Sequence, residues 1–241
     1  MDLGVNLENH FKKYQELLDG VDRIFQKMKE DYAHEVRCDN GCTDCCFALF
    51  DLSLVEALYL NSKFSELDKD TQNMIMVEAD KADRKVHKIK KRLFKDHKEG
   101  VSEQEILQKA SQEKVRCPLL VNDRCVLYEH RPITCRLYGI PLDMGNFTAG
   151  CSLSGFETGE KYPTVYMHKI HERLAALSSD LATAINSKYP EMHTMLVPVS
   201  MCLLTDYTPE YLGIKKEPDD QQVKGLPGSK PTTEWVLGPK E

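Results

Sequence analysis

Four cysteines fall within nine residues, as Cys38, Cys42, Cys45 and Cys46 in the order C-x₃-C-x₂-C-C, and four more follow as Cys117, Cys125, Cys135 and Cys151. Thiolates donate strongly to borderline-soft ions and lose their protons readily at a metal. Four of them complete one tetrahedral zinc site or hold one iron–sulfur cluster. Short spacings lower the entropic cost of closing the ring around an ion. Two sets of four thiols therefore point to a metal site as the chemistry of this chain. Adjacent Cys45 and Cys46 point in different directions on most backbones. They are expected to serve two metals, or opposite sides of one compact site. The remaining cysteine, Cys202, stands alone in Met201-Cys202-Leu203-Leu204 and reads as core.

Disulfides are a poor account of the same pattern. The total of nine cysteines is odd. The N-terminus has no basic stretch followed by an apolar one, so it does not read as a secretory signal. No run of about 18 apolar residues occurs, so no membrane span is expected. The expected compartment is a reducing cytoplasm, where clustered cysteines bind metal or do redox chemistry more often than they pair. A net charge of −6 argues against nucleic acid as the main partner. The nine Lys and Arg side chains from Lys81 to Lys98 read as the solvated face of a helix.

The arginines follow the cysteines. Arg37, Arg116 and Arg124 each precede a cysteine, Arg136 follows Cys135, and Arg131 lies four residues before it. Guanidinium groups offset the charge of clustered thiolates and can donate hydrogen bonds to sulfur. Arg131, Arg136 and Tyr128 are the candidates for that support. Asp44 and Asp51 read as solvated loop acids rather than oxygen ligands. His168 and His171 have ligand spacing on a helix, but no third ligand is near them in sequence. No phosphate-binding glycine loop, dinucleotide fingerprint or H-E-x-x-H motif occurs.

The rest of the chain is patterned for helices. Phe11, Tyr14, Leu18, Val21, Phe25, Met28 and Tyr32 alternate in steps of three and four, widened by Leu17 and Ile24, which predicts one helix over 8–36. Ser53 and Glu56 form a capping-box pattern ahead of a second helix to Lys63. Ile75, Ala79, Ala82, Val86, Ile89 and Leu93 predict a third over 67–97, expected to pack against the first. A short helix is expected over 102–114, and another over 164–187. Val121-Asn122-Asp123-Arg124 reads as a tight hairpin, 141–161 as loop, and 190–213 as ambiguous.

Together, C-x₃-C-x₂-C-C, then Cys117-Pro118-Leu119-Leu120, then Cys125-Val126-Leu127-Tyr128-Glu129-His130-Arg131-Pro132-Ile133-Thr134-Cys135-Arg136, then Cys151, resemble the YkgJ-type cysteine-cluster family, a zinc- or iron-chelating domain. The resemblance covers residues 38–151. It implies a bound metal, zinc or an iron–sulfur cluster, at the matching cysteines. The family includes flagellin lysine methylases, which are longer enzymes with the same cluster. This chain shows no recognisable methyl-donor site, so that activity is not carried over. C-x₃-C-x₂-C is also the spacing of radical enzymes that use S-adenosylmethionine, but those are α/β barrels, and the strand–helix alternation of a barrel is missing here.

The expected fold is mainly α: a helical bundle scaffold carrying a compact cysteine-rich knuckle. One domain is expected over 1–214, with a flexible tail over 215–241. The expected ligands are Cys38, Cys42, Cys45, Cys46, Cys117, Cys125, Cys135 and Cys151. An iron–sulfur cluster is preferred over zinc, because eight thiols exceed one zinc site. The alternatives are a structural zinc module that presents a surface to a protein partner, and a redox or methyl-transfer enzyme that uses the cluster.

Overall fold

A computed structural model describes residues 3–39, 41–145 and 147–215. The expected tail lies outside them, apart from Lys215. The architecture is mainly α, with short strands that tie loops together. Among the described residues no helix is long and apolar enough to cross a membrane.

Helix α1 (Glu8–Asp31) buries Tyr14, Leu17, Leu18, Val21 and Met28 along one stripe. Ile24 was expected to widen that stripe and instead faces solvent at 42 % exposure. The helix also stops five residues short of the expected Val36. Glu30 and Asp31 load its C-terminal end with negative charge, which the helix dipole disfavours. Tyr32 then turns into an aromatic trio with Phe156 and Tyr162, at ring-centroid distances of 6.2 and 5.7 Å. Strand β1 (Asp51–Ser53) leads into α2 (Leu54–Ser65). The capping box forms: the Glu56 carboxylate accepts from the Ser53 backbone N–H at 3.1 Å and from its hydroxyl at 2.9 Å. Every residue from Leu54 to Asn61 is buried, so α2 is the central helix of the body.

Helix α3 (Lys69–Lys98) is capped by Asp68, whose side chain accepts from Thr71 N–H at 2.9 Å. All six residues of its predicted stripe are buried. Helix α4 (Glu103–Gln112) follows, capped by Ser102. The second half of the α3 stripe forms its own small core with Val115, Leu49, Ile106 and Ala110. Strands β2 (Leu120–Val121) and β3 (Arg124–Cys125) form the expected hairpin, with Asn122 and Asp123 both at positive φ (48° and 56°). Asn and Asp tolerate that conformation better than other side chains. Helix α5 (Ile133–Leu137) comes next. The 141–161 segment, expected as loop, holds β4 (Leu142–Asp143) and β5 (Thr148–Ala149), and β4 also pairs in parallel with β6 (Val165–Tyr166). Helix α6 (Met167–Ala184) packs on α1 and α2.

The ambiguous 190–213 segment resolves into β7 (Leu196–Pro198), paired antiparallel with β1, and α7 (Val199–Leu204). This changes the packing. The two long helices do not lie against each other as expected: α1 packs on α2, α5 and α6, and α3 packs on α7 and α4. A six-residue helix too short to show a period occupies the face that α1 was expected to cover. Cys202 sits fully buried on α7, with its thiol donating to Ala57 O at 3.2 Å. Burial pushes that thiol up to about 12, as suits a core residue.

Candidate metal centre

The cysteines arrive on three pieces of chain. Cys38 and Cys42 follow the end of α1, and Cys42 N–H donates to Asp39 O at 3.0 Å. Cys45 and Cys46 occupy a single 3₁₀ turn, Asp44–Phe47. Successive side chains of a 3₁₀ turn stand about 120° apart, so the pair faces two sides. Cys117 N–H donates to Cys46 O at 2.6 Å and locks the second piece to the first. Cys125 lies on β3, and Cys135 on α5, where its N–H donates to Pro132 O at 3.1 Å. Cys151 follows β5 on the third piece. All eight thiols are free.

Three cavities lie between them. A largely apolar one of about 50 Å³ is lined by Cys45, Cys46, Cys117, Cys125 and Cys135, with Leu119, Leu127 and Val86 among the walls. A smaller one of about 10 Å³ is lined by Cys38, Cys42, Cys45 and Cys151. A third, of about 200 Å³, is lined by Cys42, Cys45, Cys46 and Cys125 with Tyr128 and Arg131. Cys45 lines all three. Among the described residues, no three or more of the His, Cys, Asp and Glu side chains already stand close enough to hold one ion. The sulfurs surround cavities rather than converge on a point.

Charge is distributed unevenly over the thiols. Cys45 is held far below the usual thiol range because Cys135, and then Cys46, hydrogen-bond to it. The same bonds raise Cys135 and Cys46, with burial adding to the shift. Burial pushes Cys38 up to about 11 and Cys117 up to about 12, and it also raises Cys125 and Cys151. Backbone donors oppose burial at three of them: Leu119, Leu127 and Leu153 direct N–H groups at Cys117, Cys125 and Cys151, the last at 3.4 Å. Such bonds stabilise a thiolate.

These three bonds share a sequence signal that the reading of cysteine spacing missed, namely Cys-x-Leu outside a helix. Cys135 and Cys202 have the same spacing but lie on helices. Asp44 also departs from expectation. Its side chain is only 18 % exposed, and Cys151 Sγ donates to it at 3.3 Å. Asp51 instead pairs with Lys90 at 2.7 Å. Tyr138, another residue not foreseen, lines the smaller cavity, where burial and then Asp44 raise its hydroxyl. Gly139 is required beside it: a Cβ there would stand 2.6 Å from Cys38 Cβ.

The arginines divide. Arg131 lies over the Tyr128 ring, 3.5 Å from its centroid, and donates to Tyr128 O at 2.9 Å. Its charge lowers Cys45, Cys38 and Cys125. Tyr128 therefore serves the thiols through Arg131. Arg116 lowers Cys117. Arg136, expected beside sulfur, turns away: it is buried and donates to Asp22 on α1 and to the carbonyls of Glu129 and Arg131. It clamps the knuckle to the body. His168 packs edge-on against Tyr166, with ring centroids 5.8 Å apart. His171 is lowered by burial and then by His168, and neither lines the thiol cavities.

The donor set is all sulfur, offset by guanidinium charge and met by backbone N–H groups, which fits thiophilic zinc or iron and not a hard cation. In comparison with known proteins, the family model "CxxCxxCC: Putative zinc- or iron-chelating domain" matches residues 37–152. No curated protein and no solved structure matches the chain.

Proposed function

We propose that this chain, whose residues 37–152 match the CxxCxxCC model of zinc- or iron-chelating domains, binds iron as an iron–sulfur centre held by its eight clustered cysteines. The observation that carries this reading is that the thiols surround adjoining cavities, and among the described residues no three stand close enough to hold one ion. A single zinc ion draws its sulfurs to about 2.3 Å, whereas a group of several iron and sulfide atoms spans thiolates that stand further apart. The ligands are Cys38, Cys42, Cys45, Cys46, Cys117, Cys125, Cys135 and Cys151, and they close on the group as it binds, since binding and local folding share one free energy.

When bound, such a group supplies one-electron transfer at a potential set by its type, its charge and its hydrogen bonds. The chain's own residues tune it. Leu119, Leu127 and Leu153 offer N–H groups to sulfur. Arg131 supplies positive charge from a fixed perch on Tyr128. Leu119 and Val86 give the largely apolar cavity part of its wall.

A structural zinc module is the second reading. Between Val115 and Leu142 the regular structure amounts to two-residue strands and short turns of helix, which is how a segment looks when a metal holds it together. Anaerobic purification with iron supplied, followed by iron, zinc and acid-labile sulfide assays, separates the two. The expected product is brown, with sulfide and broad absorbance at about 400 nm. A colourless protein with stoichiometric zinc and no sulfide would overturn the iron–sulfur reading.

A further inference from the structure

Helix α3 carries a row of cations that the fold does not use. Arg84, Lys88, Lys91, Lys95 and Lys98 follow one another in steps of four, three, four and three, so they share one face of the helix, and all five are exposed. At 1.5 Å per residue the row is about 21 Å long. We propose that it is the docking surface for a protein partner that presents a row of Asp and Glu side chains of matching length. The inference does not depend on which metal the thiols hold.

Like charges three and four residues apart on a helix repel and destabilise it, so folding gives no reason for the row. Its own partners are weak: Arg84 reaches Asp80 at 2.9 Å and Lys95 reaches Glu99 at 3.6 Å, both open to water on the same side of the helix. Lys88 and Lys91 form no ion pair among the described residues. The neighbouring cations face other ways. Lys85 donates to Lys114 O at 2.7 Å, Lys90 pairs with Asp51 at 2.7 Å and Arg92 pairs with Glu113, so these three tie α3 to the chain around it. Phe94 stands beside the row, 60 % exposed, with the Lys98 ammonium 4.6 Å from its ring centroid. A large aromatic ring is the kind of side chain that anchors a protein interface, and charge around it sets rate and orientation.

The distribution of charge selects the class of partner. Residues 84–115, which hold the row and α4, carry ten Lys and Arg against five Asp and Glu, a net +5. The whole chain is at −6, which leaves −11 on the rest of it. Nucleic acid or an anionic bilayer extends its charge far beyond the row and would meet that acidic remainder. A protein can confine its carboxylates to the row and is steered there by the opposite field. The other side of α3 gives the position its meaning. Ala82 and Val86 line the largely apolar cavity shared with Cys45, Cys46, Cys117, Cys125 and Cys135. A partner on the row therefore stands one helix, about 10–12 Å, from that cavity.

Fluorescence anisotropy on the full chain tests the proposal. The probe is a labelled synthetic helical peptide with Glu at every third and fourth position and Leu beside them. The expected result is binding that weakens as salt is added. Lys88→Glu/Lys91→Glu/Lys95→Glu should weaken it by about tenfold or more. The same three-charge reversal at exposed sites elsewhere, Lys12→Glu/Lys27→Glu/Lys169→Glu, should retain most of it. Equal loss in the two triple variants would overturn the proposal, because net charge alone predicts that. No binding to the wild type would overturn it as well. So would tighter binding of duplex DNA or of phosphatidylserine vesicles than of the peptide at the same salt, since the row would then suit another class of partner. Should the first variant fail to fold by far-UV circular dichroism, Lys88→Gln/Lys91→Gln, read in the same way against Lys12→Gln/Lys27→Gln, decides.

Discussion

The body of this protein and its cysteine knuckle are held by different means. In the body, α2 is buried on every side between α1, α6 and α7, and its residues Leu54, Val55, Ala57 and Leu58 are fully shielded. Apolar area and helix caps are sufficient to specify such a region. In the knuckle, β2 and β3 pair two residues each, α5 has five residues, and the largest shared feature is eight sulfurs around adjoining cavities. The contrast teaches that one chain can contain a segment ordered by burial and another whose order depends on what its side chains bind.

Removing the metal should give the largest effect and should break the two regions apart. Structural metal in thiolate sites contributes about 10–16 kcal/mol in small zinc-binding peptides, more than any single contact in the body. Chelation under reducing conditions is expected to open residues 116–164 to protease while the helical circular dichroism of the body persists. Loss of the whole helical signal would mean that the body depends on the knuckle, and the contrast would be false.

Leu58→Ala should act in the opposite sense. Leu58 is fully buried at the centre of α2, and truncating a buried leucine costs about 2–5 kcal/mol. Denaturant unfolding should show that loss, with metal content per folded chain unchanged. At the seam, Arg136→Lys should cost about 1.5–3 kcal/mol, the scale of charge-assisted bonds. Lysine cannot reproduce the forked contacts to Asp22 and to the carbonyls of Glu129 and Arg131. Unlike Leu58→Ala, it should also speed metal loss to a chelator. An unchanged release rate would mean that Arg136 only anchors the body.

Legibility in the sequence follows the same division. The α1 and α3 stripes, the Ser53–Glu56 box and the Asn122-Asp123 turn were all readable, because each depends on residues close in sequence. The partner of α3 was not. Helix α7 has six residues, too few to show a period, and its pairing is set by the distant β1–β7 register. Ile24 fits the apolar repeat of α1, yet among the described residues no element covers it. In the knuckle, the eight cysteines stood out by spacing. Their arrangement around adjoining cavities, with Cys45 common to all of them, did not, because it depends on how distant segments of the chain pack together. In sequence Asp44 resembles any solvated acid, since nothing local signals that Cys151, 107 residues away, lies against it.

Gly139→Ala tests that long-range geometry at a single methyl group. A Cβ there would meet Cys38 Cβ at 2.6 Å, and overpacking of this kind costs about 1–3 kcal/mol. Cys38 must shift, so the variant should bind less metal while Leu58 and its neighbours stay packed. Full metal content at wild-type stability would show that the close approach is relieved without cost.

A smaller effect is expected from Glu56, which joins the two regions by accepting from Tyr14 hydroxyl and Ile133 N–H. Burial raises its carboxyl above the ordinary range in spite of its donors. The folded state therefore holds this proton more tightly than the unfolded one. The associated stability is complete below about pH 4.3, the free glutamate value, and is lost as pH rises through the raised folded value. Glu56→Gln cannot titrate. Between pH 5 and 8 the stability of the wild type relative to Glu56→Gln should decline as pH rises. A gap that is flat or widens in favour of the wild type would contradict the shift.

The smallest effect belongs to the basic face of α3. Arg84 reaches Asp80 at 2.9 Å, with the two side chains 76 % and 51 % exposed. An ion pair so open to water gains little over solvated charges, and it gives up side-chain freedom to form. Arg84→Ala should therefore change stability by no more than about 0.5 kcal/mol, a shift near the limit of a denaturation curve, and should leave metal content alone. Arg131→Ala removes the same charge beside Cys45 and should speed metal loss measurably. If the two variants behave alike in a chelator-release assay, the guanidinium charge near the sulfurs is no more consequential than that of a solvated helix face, and the electrostatic part of the contrast fails.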